Sequence, residues 1–190
     1  LAKNININKK FNKTFFKAAF TGAHGYANGL NAVLDVAKIL IDRNENNIII
    51  EFIGDGVLKP QLIERAKKEN LNNCIFKNPI PKIELFNYLY NEIDVGLMIL
   101  DDIPAFYYGT SPNKFFDYIS LGLPVINNYP GWLSDLINDN KCGLTVSPKD
   151  SFKFSESLIR LKNDKDLIKI MSKNARSLAK EQFDREILSK

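Results

Sequence analysis

Residues 17–54, "KAAFTGAHGYANGLNAVLDVAKILIDRNENNIIIEFIG", have the pattern of a β-α-β unit. Residues 17–22 form a short β-rich run that ends at a glycine, and residues 47–54 form a second run that is almost continuously apolar. A continuously apolar strand is typical of a parallel sheet covered on both faces. Between the two runs, apolar residues recur at the spacing of one helix face: Leu30, Val33, Leu34, Ala37, Leu40 and Ile41.

The alternation of strands and helices continues along the chain. Further strands are predicted over four short apolar runs: 74–77, 94–100, 124–127 and 142–146. Helices are predicted over 59–70, 82–92, 111–124 and 131–138, and the chain from Ser151 onward is predicted to be all-helical. The pattern predicts an α/β fold, a Rossmann-like, doubly wound parallel sheet of six strands with a helical C-terminal tail. Residues 16–190 are expected to form a single domain, and residues 1–15 a lead-in.

Composition excludes several classes of protein. The chain has 190 residues, with 26 basic and 22 acidic side chains, and its basic residues are scattered rather than interleaved with aromatic ones. This argues against a nucleic-acid partner. No apolar run reaches the roughly 18 residues of a membrane span. The first residues carry neither a methionine nor a signal peptide, which favours a piece cut from a longer protein, and two cysteines without metal spacing suggest buried thiols in a reducing compartment.

In a sheet of this kind, ligands bind at the carboxyl ends of the strands, so the loops after the strands are the candidate sites. The first loop, "TGAHGYANGL" (21–30), leads into a helix through three glycines. Gly22 and Gly25 allow a ligand to approach the backbone, and a phosphate suits the helix start that follows. His24, the one histidine of the chain, is expected to contact a ligand rather than the core. The alternative is that these glycines only make a tight turn.

The stretch "SPNKFFDYISLGLP" (111–124) combines several features of a binding site. Pro112 suits a helix start, whose positive end then faces whatever lies before it. Lys114 supplies a flexible point charge for phosphate, and Asp117, about one turn later, can accept two hydrogen bonds from a vicinal diol such as ribose. The same two side chains could instead form a surface ion pair within the helix.

Two other stretches give weaker signals. In "NPIPKIEL" (78–85), prolines on both sides of Ile80 hold an extended backbone that could receive a planar base. Asp101 and Asp102 follow a strand, but no third acidic or histidine ligand is placed near them, so no metal is expected.

Taken together, these segments resemble the C-terminal, donor-binding domain of family 4 glycosyltransferases of the GT-B fold, closest to the bacterial members that build capsule and O-antigen sugars. The matching segments include "FIGDGVLKPQLIERAKKENLNNCIF", "NEIDVGLMIL" and "CGLTVSPKD". The most specific element is "PNKFFDY" followed by "GLPVI". The resemblance covers nearly the whole chain from Phe16.

The resemblance implies a role for each candidate residue. Asp117 would bind the ribose hydroxyls, and Gly22, His24 and Gly25 would face the diphosphate. The amides of Asn113 and Lys114, with the Lys114 ammonium, would complete the phosphate cradle, and Ile80 would contact the base. The resemblance assigns no residue to the chemical step.

The sequence departs from the family pattern at three places. A first glutamate, expected eight residues before Asp117, falls on Gly109, and the second glutamate is replaced by the shorter Asp117. The arginine and lysine that many members carry after the first strand are missing, with Thr21 and Asn28 near their places. Phosphate binding would therefore depend on backbone groups and Lys114.

The implied reaction is transfer of a hexosyl or N-acetylhexosaminyl group from a nucleotide diphosphate sugar, favouring UDP, with retention and without a metal or other cofactor. The acceptor would be a polysaccharide or lipid-linked, membrane-associated sugar. The N-terminal domain that binds it is not in this chain, so the chain alone is expected to be inactive. The resemblance also implies a cytoplasmic location, at the inner face of the plasma membrane. The alternatives are a nucleotide-sugar epimerase or hydrolase of the same fold, and a non-catalytic nucleotide-binding module.

Overall fold

The computed structural model describes residues 14–109 and 112–183. Within these residues the sheet has six strands, all parallel, in the order β3-β2-β1-β4-β5-β6. The strands are β1 (Phe16–Thr21), β2 (Ile48–Ile53), β3 (Cys74–Lys77), β4 (Val95–Met98), β5 (Val125–Asn127) and β6 (Gly143–Thr145). The predicted six-stranded, doubly wound α/β fold is confirmed.

The helices also follow the predicted alternation. They are α1 (Asn31–Asp42), α2 (Lys59–Lys68), α3 (Lys82–Glu92), α4 (Pro104–Gly109), α5 (Asn113–Ser120), α6 (Trp132–Asp139), α7 (Ser151–Asn163) and α8 (Lys165–Gln182). Helix α4 and a 3₁₀ turn at Tyr26–Asn28 were not predicted, because each is too short to show a helical period. The first 13 residues of the predicted lead-in lie outside the described residues. None of the described helices is both long and apolar enough to cross a membrane.

Apolar residues fill both faces of the sheet. Successive side chains of a strand point to opposite faces, so Ala18 and Phe20 of β1 enter the core beneath α1, α2 and α7, whereas Ala19 enters the core beneath α3, α5, α6 and α8. The two cysteines are free thiols, and Cys142 is buried as expected, but Cys74 is only half-buried.

One buried charge interrupts the apolar pattern of β2. The carboxylate of Glu51 is 1% exposed and accepts a hydrogen bond of 2.7 Å from the hydroxyl of Tyr88. The ammonium groups of Lys77 and Lys17 lie 3.0 and 3.6 Å from it. Because a buried carboxylate is costly unless it is paired, this cluster explains how a glutamate can lie in the middle of a buried strand, and it ties α3 to the sheet through Tyr88.

Candidate functional site

The order of the strands across the sheet changes direction between β1 and β4. This switch point lies beside the glycine-rich loop. The loops after β1 and β2 are joined by backbone hydrogen bonds: Gly22 N–H to Ile53 O at 2.9 Å, and His24 N–H to Asp55 O at 2.8 Å. A Cβ atom at Gly54 would lie 2.0 Å from Gly22 O, and the φ angle of Gly54 is +147°. Only glycine fits there, so the two loops form one close-packed surface at the carboxyl ends of the strands.

Helix α5 is fixed to this surface by Tyr118. Its buried hydroxyl donates to Ala19 O at 3.1 Å, accepts from the Thr21 N–H at 3.0 Å, and lies 3.0 Å from Thr21 Oγ1. The ring lies against Gly96 of β4, where a Cβ atom would come within 2.4 Å of it. These contacts hold α5 over the carboxyl end of β1.

This arrangement brings Lys114 to the glycine loop. Its Nζ lies 4.2 Å from the centroid of the Phe20 ring, and its Cε is 3.5 Å from where a Cβ of Gly22 would be. Among the described residues it has no carboxylate or hydrogen-bond partner, and burial lowers the pKa of Lys114 to about 8. A half-buried cation with no counter-ion among the described residues, beside the N-terminal end of a helix, is a suitable partner for an anion.

Asp117 does not pair with Lys114. Its Oδ1 lies 3.2 Å from Nζ of Lys82, the first residue of α3, and a third of the Asp117 side chain is exposed. The alternative of an ion pair within α5 is therefore wrong. Helix α5 presents the Asp117 carboxylate toward the segment 78–82.

The segment that carries Ile80 is held by a lysine that sequence reasoning missed. The buried ammonium of Lys59 donates to Gly54 O at 2.8 Å and to Lys77 O and Asn78 Oδ1 at 3.0 Å. These bonds tie the loop after β2 to the loop after β3. Ile80 itself is half-buried and packs on the core beneath α3. The only sequence signal for this role of Lys59 was its place immediately before a proline in the first turn of a helix.

The His24 side chain lies beneath the loop rather than on its surface. It is fully buried, between the rings of Phe20 and Phe52, and neither ring nitrogen has a hydrogen-bond partner among the described residues. Burial lowers the pKa of His24, and the nearby Lys59 and Lys114 charges lower it further. The imidazole is therefore neutral near pH 7. The His24 main chain, not its ring, shapes the loop.

The remaining predicted residues lie around the same loop. No atom outside the adjoining chain comes within 4 Å of a Cβ placed on Gly25, and Asn113 is an exposed residue that begins α5. Thr21 is engaged by Tyr118, and Asn28 donates to Ala23 O at 2.7 Å. Neither residue is therefore free to replace the absent arginine and lysine. Helix α4 ends at Gly109, the position without the expected acid.

The acidic pair after β4 has a structural role. Asp102 accepts a hydrogen bond from Tyr107 and lies 2.5 Å from Nζ of Lys149, while the Asp101 N–H donates to Ala27 O at 3.0 Å. In the part of the chain that the structure describes, no three His, Cys, Asp or Glu side chains are grouped so that they could hold a metal ion.

The chain is similar to known proteins in both sequence and structure. The chain is 27% identical over 160 residues to protein CapJ of Staphylococcus aureus, covering 83% of this chain and 37% of CapJ. Its structure matches a TarM variant of S. aureus, in complex with Fondaparinux, alpha-GlcNAc-glycerol and UDP, with a TM-score of 0.80 at 17% identity, covering 98% of this chain and 36% of TarM. It also matches the C-terminal domain of the group 1 glycosyl transferase LpcC of Francisella tularensis, with a TM-score of 0.69 at 18% identity, covering 90% of this chain and 87% of that domain.

The chain thus spans little more than a third of the length of CapJ. The family model for glycosyl transferases group 1 matches residues 2–178. The glycine loop, the switch point and α5 all lie within that match. The chain belongs to the glycosyl transferases of group 1.

Proposed function

We propose that this chain is the donor-binding domain of a glycosyltransferase and that the surface around Gly22, Lys114 and Asp117 holds a nucleotide diphosphate sugar. The observation that supports this most directly is the Lys114 ammonium, which lies against the loop glycine Gly22 and has no counter-ion in the described part of the chain. A diphosphate placed there would supply the missing negative charge, and the exposed start of α5 would offer backbone N–H groups beside it.

The nucleoside would lie between α5 and the segment that precedes α3. Asp117 can accept hydrogen bonds from both ribose hydroxyls, because a carboxylate has two acceptor oxygens. Ile80, between two prolines and held through Asn78 by Lys59, would lie against the base. Uridine is the preferred base in this proposal, since TarM is a structural neighbour in complex with UDP.

The charge of the diphosphate would be met by Lys114 and the start of α5 rather than by a metal ion. A positive helix end and an ammonium group can both stabilise negative charge that develops on a leaving diphosphate. We therefore expect UDP binding to persist in EDTA. The transfer itself, with retention and to a polysaccharide or lipid-linked acceptor at the inner face of the plasma membrane, would need a further domain that closes over the donor, so this chain alone should not transfer sugar.

Calorimetric titration with UDP and GDP tests the proposal. Asp117→Asn keeps the shape of the side chain but replaces one acceptor oxygen by a donor, and hydrogen bonds to charged groups are worth about 1.5–3 kcal/mol. We therefore expect UDP affinity to fall about 10- to 100-fold. The matched control is Asp166→Asn on α8, where the carboxylate lies in solvent beside Lys169. If neither nucleotide binds, or if Asp117→Asn binds UDP as the wild type does, the site assignment is wrong.

A further inference from the structure

We propose that Lys82 competes with the ribose hydroxyls for the Asp117 carboxylate, so that it lowers the preference of the site for a ligand with a vicinal diol. This inference rests on the proposed function. It comes from the contact between Nζ of Lys82 and Oδ1 of Asp117, which are 3.2 Å apart although the residues belong to different helices. Lys82 begins α3 directly after the segment that would receive the base, so the ion pair bridges the two sides of the nucleoside position.

The contact is built so that it can be exchanged. The Lys82 side chain is 64% exposed and that of Asp117 33% exposed. Within the described part of the chain, no other cation lies within 4.0 Å of the Asp117 carboxylate. The Lys82 ammonium also lies 5.4 Å from the centroid of the Phe86 ring, one turn further along α3. A lysine that leaves Asp117 therefore still has water and an aromatic face for its charge.

The exchange has different consequences for different ligands. A vicinal diol that uses both carboxylate oxygens must take Oδ1 from the ammonium, so its affinity is reduced by the strength of the ion pair. A nucleotide without the two hydroxyls gains nothing from Asp117 and leaves the ion pair in place. Exposed ion pairs are weak, so the reduction should be about two- to fivefold.

Removing the lysine gives a signature that depends on the diol. For Lys82→Gln, we expect UDP affinity to rise two- to fivefold relative to the affinity for 2′,3′-dideoxyuridine 5′-diphosphate. Loss of a positive charge near the phosphates would weaken both ligands alike, so it cancels in the ratio of the two affinities. Lys82→Arg keeps the ion pair and should preserve the wild-type ratio, and Lys169→Gln on α8 serves as a remote control for charge.

The test is completed in the Asp117→Asn background, where Lys82→Gln should no longer change the ratio. If Lys82→Gln leaves the ratio unchanged or lowers it while Asp117→Asn still weakens UDP binding, the role of Lys82 is wrong and the proposed function stands. If Asp117→Asn does not affect UDP binding, the proposed ribose site fails, and the role of Lys82 fails with it.

Discussion

Replacing Lys114 by methionine is expected to make the free protein more stable and the nucleotide site weaker. Burial lowers the pKa of Lys114 from 10.5 to about 8. Since one pKa unit corresponds to about 1.36 kcal/mol, keeping this ammonium charged in the folded state costs on the order of 3 kcal/mol near pH 7. The contact with the Phe20 ring returns about 1 kcal/mol of this. Methionine retains the aliphatic stem, so a net gain of about 2 kcal/mol is expected, or about 4–8 °C in Tm for a chain of this size.

The stability gained by Lys114→Met should depend on pH, and the lowered pKa of Lys114 fixes the direction of that dependence. Between pH 8 and 10.5 the unfolded chain holds a proton on this lysine that the folded chain has released. The free energy of unfolding of the wild type therefore rises with pH across this window. Lys114→Met has no such group, so its advantage over the wild type should be complete below pH 8 and should shrink as the pH approaches 10.5.

Urea unfolding of the wild type and Lys114→Met at pH 7.0 and 9.5 measures the difference in their free energies of unfolding. Lys169→Met is the control, because Lys169 is well exposed on α8. Titration with UDP completes the test. The variant should bind UDP at least tenfold more weakly, and the affinity of the wild type should fall as the pH rises through about 8, because the neutral amine no longer attracts phosphate. A variant that is less stable than the wild type at pH 7, or that binds UDP with unchanged affinity, would contradict the role given to Lys114.

Three further substitutions test how the site and the core are held. Tyr118→Phe leaves the Thr21 N–H without its acceptor and should cost about 1–3 kcal/mol in urea unfolding; a cost below about 0.5 kcal/mol would show that the hydroxyl does not anchor α5. Gly54→Ala places a methyl group 2.0 Å from Gly22 O and should lower both Tm and UDP affinity; calorimetry that finds either unchanged contradicts the close packing of the loops. Glu51→Ala leaves two lysines without their shared carboxylate and should cost about 2–3 kcal/mol. This cost is below the usual range for a broken buried pair, because both lysines reach solvent. A neutral effect in thermal unfolding would show that the cluster is not stabilising.

The fold could be predicted from the sequence because its signals are local. The run of residues 74–77 and the helix 82–92 were predicted with the bounds that the structure shows. The alternation of buried strands with amphipathic helices then leaves few topologies other than a parallel sheet. Helix α4 was missed because six residues do not complete two turns, and Glu51 was not recognised as a buried charge because its partners come from three other elements.

The site could be predicted only in part. The sequence indicated that Lys114 and Asp117 share a helix, but not that Asp117 would pair with Lys82, which is 35 positions earlier. The bond from Tyr118 to the end of β1 spans 97 positions, and no spacing rule reaches that far. The spacing of the glycines predicted a loop open to a ligand, but it could not show that His24 lies beneath that loop.

The Lys114 ammonium gives a physical reason why this end of the sheet should bind an anionic ligand. Two buried polar side chains elsewhere in the fold find partners: Asn73 donates to Ala37 O at 3.0 Å, and Glu51 has its lysines and a tyrosine. At the carboxyl ends of the strands, the two ring nitrogens of His24 and the ammonium of Lys114 have no partner among the residues that the structure describes. The cost of removing this ammonium from water has therefore been met during folding, before any ligand arrives. An anion that reaches Lys114 meets a charge that is already partly desolvated, and in such surroundings their attraction is stronger than in water. The stability lost at Lys114 in the free protein is thus the physical basis of the affinity expected for a diphosphate.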